Sequence, residues 1–79
     1  MDIRYGADRY WTTFVEDHVQ GFAGFDLHRV TFGSKALVAR TTFWDATGGF
    51  VFGTFDGAEV PVEVVAAAIA EARAEIKVK

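Results

Sequence analysis

Seventy-nine residues with a net charge of −3 and no cysteine define one small core that neither disulfides nor thiolate metal sites can reinforce. A chain this short buries only roughly 60–65% of the surface its unfolded form exposes, so the hydrophobic content of 51%, with eight Phe and two Trp, has to supply the stability. The acid excess argues against nucleic-acid binding by the field of the whole molecule, Met1 to Arg4 open no secretory signal, and no run reaches the roughly 20 apolar residues of a membrane helix.

In chain order, Met1 to Ala7 is ambiguous: Ile3 and Tyr5 suit a brief edge strand or simple packing. Asp8 suits the N-cap of a helix from Arg9 to about Gln20. Trp11, Phe14, Val15 and His18 fit one apolar helical face, and Gly21 suits a left-handed C-terminal residue. The competing reading is a strand, because Tyr10 to Val15 is rich in β-formers. The stripe and the two end signals favour the helix.

Three antiparallel strands follow between Phe25 and Asp56. Gly33-Ser34 suits a two-residue hairpin turn and Asp45 to Gly49 a second turn. That register sets Val30 opposite Leu37 and His28 opposite Ala39. Phe32, Val30, Leu37, Ala39, Phe43, Phe50 and Phe52 then share a core face. The opposite, open face carries Phe25, Leu27, Arg29, Thr31, Val38, Arg40, Thr42, Trp44, Val51 and Phe55. Pro61 suits the first position of a last helix running to about Lys77, with Val62, Val65, Ile69, Ala72 and Ile76 as its buried stripe. Glu59 and Glu63 near its start and Lys77 and Lys79 at its end match the helix dipole. The expected fold is α+β, a three-stranded antiparallel meander with two helices on one face (α-β-β-β-α), forming a single compact domain over 1–79.

No constellation carries chemistry. Asp26 and His28 share a strand face, but a zinc site needs three or four ligands, so no metal or cofactor is expected. Glu16, Asp17, Glu71 and Glu75 read as solvated acids, and the chain offers no Cys nucleophile. The expectation is a protein without enzymatic activity. The order α-β-β-β-α is also that of double-stranded-RNA-binding domains, but Asp56 to Glu63 is acidic where such domains grip phosphate. An open face of arginines and aromatics suits stacking of single-stranded bases or, better, a protein contact, because interface centres are rich in Trp, Tyr and Arg. The candidate protein-binding residues are Leu27, Arg29, Val38, Arg40, Trp44 and Phe55.

A compact, acidic, cysteine-free α/β chain of this length without catalytic motifs resembles the phage-encoded anti-CRISPR proteins, and among them is most similar to the small inhibitors of type I-C systems. The resemblance rests on size, charge and overall character over the whole chain, and it transfers no residue roles. It implies stoichiometric binding to a CRISPR surveillance complex in the host cytoplasm, so that target DNA cannot engage. A small bacterial interaction or antitoxin-like domain is the alternative, and a homodimer is a further expectation for the open face.

Overall fold

A computed structural model describes residues 1–77. Five strands precede one helix: β1 (Asp2–Tyr5), β2 (Asp8–Asp17), β3 (Phe22–Thr31), β4 (Ser34–Trp44), β5 (Gly49–Thr54) and α1 (Val62–Glu75). The strands form one antiparallel sheet in the order β1-β2-β3-β4-β5. This sheet curls into a half-barrel around the single helix. The expected three-stranded meander with two helices is therefore corrected: the first helix is absent, and β2 occupies its place.

The reason lies in which period buries more. Read as a strand, Tyr10 and Thr12 face the helix while Arg9, Trp11, Thr13 and Val15 face away. Tyr10 is 1% exposed, in the centre of the core. The helical stripe would have put Tyr10 off its apolar face and buried His18, which instead lies exposed in the β2–β3 turn. Ten residues of β2 also complete the ladder of β3 from Asp8↔Thr31 to Asp17↔Phe22. No isolated helix satisfies a neighbour's backbone groups in this way. The brief strand at the N-terminus is β1, which pairs with β2 from Asp2↔Trp11 to Tyr5↔Asp8.

The hairpin between β3 and β4 turns one residue earlier than expected. Thr31 pairs with Ser34, so the two turn residues are Phe32 and Gly33, with φ of 47° and 81°. Positive φ at both central residues is the type I′ pattern, normally filled by Asn-Gly. A bulky residue in that region is strained, and the Phe32 ring gains nothing from burial because it is 90% exposed. Replacing Phe32 by Asn is expected to stabilise the protein by about 1 kcal/mol, raising its melting temperature by roughly 4–8 °C in a thermal denaturation.

Farther along the same pair the register slips. His28 lies opposite Leu37, but Leu27 lies opposite Ala39, leaving Val38 as an extra residue. The bulge resets the alternation of β4. Val38 and Ala39 are consequently both buried, at 2% and 0% exposure. Beyond it, Leu27, Phe25 and Ala23 share the helix side with Ala39, Thr41 and Phe43, and β5 adds Phe52 and Phe50 through Thr41↔Phe52 and Phe43↔Phe50. The expected core face is thus half right. Ala39, Phe43, Phe50 and Phe52 do face inward, whereas Leu37 is exposed and Leu27 and Phe25 belong to the core side.

Helix α1 crosses the concave side with Val64, Ala68, Ala72 and the following Ile76, spaced four apart, as its buried row. Of the expected stripe, Ala72 and Ile76 are buried, whereas Val62 is exposed and Val65 and Ile69 are only half-buried. Pro61 precedes the first turn, and its carbonyl accepts bonds from the Val64 and Val65 amides at 3.0 Å each. The absent N–H of the proline therefore goes unneeded. Val64 and Ala68 pack with Tyr10, Leu27, Val38 and Ala39, and Ala72 and Ile76 with Phe43. The small alanines let the helix sit close to the sheet. The Glu71 carboxylate accepts bonds from the Thr12 hydroxyl and the Met1 amino group, tying α1 to β2. Lys79, assigned above to the helix end, lies outside the described residues.

Candidate interaction face

The helix covers one side of the sheet and leaves the other to solvent. Strand alternation and the bulge together decide which side chains appear there. Cross-strand rows on this outer face run Trp11–His28–Leu37, then Thr13–Asp26–Arg40–Gly53, Val15–Gly24–Thr42–Val51 and Asp17–Phe22–Trp44–Gly49.

Arg40 is the centre of the second row. Its Nε donates to Asp26 Oδ1 at 2.5 Å and its Nη2 to Oδ2 at 3.4 Å. Both side chains are partly withdrawn from water, 31% exposed for Arg40 and 15% for Asp26. The bond to Asp26 raises the Arg40 pKa above its ordinary value. The guanidinium also lies 5.5 Å from the centre of the Phe22 ring and 5.8 Å from that of Phe55. Phe22 in turn packs on Trp44 with ring centres 5.1 Å apart. Two rings and a carboxylate hold the arginine in one orientation, which reduces the side-chain entropy lost when a partner docks.

A second cluster lies toward β1. The Trp11 and His28 rings stack at 5.3 Å, and Thr13 Oγ1 lies 2.8 Å from His28 Nε2. Arg9 stands 5.8 Å over Trp11 and pairs with Asp2. That hydrogen bond lowers the pKa of Asp2 and raises that of Arg9. A shallow depression of about 490 Å³ adjoins this cluster, lined in part by Asp2, Arg9, Trp11, Val30 and Lys35. Its one carboxylate is already engaged by Arg9, and no histidine lines it. Among the described residues no three of His, Cys, Asp and Glu converge as metal ligands would. No helix among them is long and apolar enough to cross a membrane.

The bulge divides the residues expected from the sequence to form a contact surface. Arg40 and Trp44 lie on the outer face, with Phe55 against Arg40. Leu27 and Val38 are core residues at 1% and 2% exposure, inaccessible to a partner in the folded chain. Arg29 lies on the helix side opposite Tyr10 and donates to the Glu59 carbonyl at 3.3 Å. Sequence reasoning missed Arg9, Trp11, Phe22 and His28 as members of the outer face. Trp11 and Arg9 were lost with the misread strand. The available signal was the alternation of Arg9, Trp11, Thr13 and Val15 against Tyr10, Thr12 and Phe14.

Comparison with models of known families, with curated proteins and with solved structures finds no match.

Proposed function

We propose that the protein works without catalysis, by occupying a surface of a protein partner with the outer face of its sheet. The observation that carries this reading is the network of Trp44, Phe22, Arg40, Asp26 and Phe55, in which aromatic and arginine side chains are pre-ordered on the side of the sheet that the helix leaves uncovered. Such side chains dominate the energetics of protein interfaces. A solvated sheet face needs no tryptophan there.

The target named by the resemblance in size and charge is a type I CRISPR surveillance complex, with this chain acting as a stoichiometric inhibitor of DNA engagement. Its net charge of −3 favours approach to a basic DNA-binding surface. The alternative target is a toxin or similar bacterial protein. A single-stranded nucleic acid on the aromatic face is a weaker fit, because Asp26 already neutralises Arg40 and the whole molecule is acidic.

Affinity purification from cells carrying a type I system tests the target. Co-purified complex subunits at a fixed ratio support the inhibitor reading, and inhibition that grows with time below that ratio overturns it. Trp44→Ala is expected to weaken partner binding by about 2 kcal/mol, or roughly 30-fold, with the circular dichroism spectrum unchanged. Titration calorimetry against the purified target measures it. Undiminished affinity in both Trp44→Ala and Phe55→Ala would remove the outer face from consideration.

A further inference from the structure

A half-barrel has two open edges, and this one treats them differently. On one side, β1 is four residues long and carries Asp2 and Arg4, and the part of β2 beyond it ends in Glu16 and Asp17. Charges and brevity are the usual means by which a sheet edge avoids pairing with another chain. On the other side, β5 carries no such guard. From Thr47 to Phe55 there is neither a charged residue nor a proline, and the strand shows no break in its register with β4.

The sequence of this edge is also symmetric. Gly49-Phe50-Val51-Phe52-Gly53 reads the same in both directions about Val51. Two copies of β5 laid antiparallel about a twofold axis through Val51 would place Val51 against Val51, each Phe50 against a Phe52, and each Gly49 against a Gly53. Faces match in that register. Phe50 and Phe52 lie on the helix side in both copies, and Val51 lies on the outer face, where it is 53% exposed. Aromatic cross-strand pairs are among those that stabilise antiparallel neighbours. The strand itself brings no charge to the axis, and on the helix side the Arg73 guanidinium lies 5.9 Å from the centre of the Phe50 ring, over an aromatic face.

We propose that β5 is a self-pairing edge, which joins a second copy of this chain into a continuous ten-stranded antiparallel sheet with twofold symmetry. The proposal is independent of what the outer face binds.

Light scattering after size exclusion, over a concentration series, is expected to give the mass of two chains, falling to one on dilution. Val51→Lys sets two ammonium groups against each other on the axis and is expected to yield one-chain mass at every concentration, with an unaltered circular dichroism spectrum. Because the chain has no cysteine, register can be read by cross-linking. Val51→Cys should form a disulfide-linked dimer under mild oxidation, whereas Thr54→Cys, whose partner in this register is Gly48, should not. The cysteine pair decides the matter if the lysine variant fails to fold. A parent chain that remains single at all concentrations overturns the proposal, even if β5 pairs with a strand of some other protein. So does a Val51→Lys dimer, or equal cross-linking at both positions.

Discussion

Gly24→Ala is expected to lose about 3 kcal/mol of stability, the upper part of the usual range for forcing extra atoms into a packed site. A Cβ at this position would stand 2.4 Å from the Thr41 carbonyl oxygen and 3.2 Å from the Thr42 Cα. Both obstacles are backbone atoms of β4, so no rotamer change relieves the clash. The two strands would have to separate where the sheet bends around the helix. Gly24 is buried, and its row places it between Val15 and Thr42. For a domain of this size the loss is a large share of the total stability. Urea unfolding measures it, and a midpoint within error of the parent would mean that β3 and β4 do not approach so closely. Gly53→Ala is the matched control, since a Cβ there meets nothing within 4 Å.

Leu27→Ala is expected to cost about 3–4 kcal/mol and Leu37→Ala less than about 1 kcal/mol. The two leucines belong to neighbouring strands of one hairpin, and the simple alternation read from the sequence assigns the burial the other way round. Leu27 is 1% exposed and packs in the cluster of Tyr10, Val38 and Val64, whereas Leu37 is 41% exposed. Removing the Leu27 side chain leaves a cavity between sheet and helix that the alanines of α1 are too small to fill. The ratio of the two losses, measured by the same denaturant titration, tests the bulge itself. Equal losses would place the register break elsewhere.

The error that exchanged those leucines has a physical origin. The turn glycine after β3 was legible, and so was an antiparallel succession of strands from Phe25 onward, but β3 begins three residues earlier than that, at Phe22. Sequence alone gives no sign that Phe32 accepts φ of 47°, a conformation its side chain disfavours, so the turn was expected at Gly33-Ser34. Nor does any local preference announce the extra residue at Val38. A bulge is fixed by the fit of a whole strand to its neighbours and to the helix. The combined effect was to group Arg40 and Trp44 with Leu27 and Val38, which lie on opposite sides. The misread β2 is a different case. Trp11, Phe14, Val15 and His18 satisfy a helical period while Tyr10, Thr12 and Phe14 satisfy an alternating one, and only the partner strands decide between them. The last helix was legible because Pro61 and its alanine-rich sequence act locally. Its buried row was legible only at Ala72 and Ile76, since a helix so rich in alanine and valine has apolar residues on most of its circumference.

Because the strands follow one another in space as they do in sequence, each ladder can close from a tight turn without waiting for a distant segment to diffuse in. The connections are short: Gly6-Ala7, Phe32-Gly33 and the few residues at each of the other turns. Chain-closure entropy therefore opposes the sheet only weakly, and the successive hairpins form a zipper that can start at any of four places. Docking of α1 is the one event that joins remote parts of the chain, as the bond between Thr12 and Glu71 illustrates. On closure entropy alone, docking of the helix is expected to be the slowest contact to form in refolding, and truncation of Val64, which is buried against the sheet, is expected to show its effect at that step.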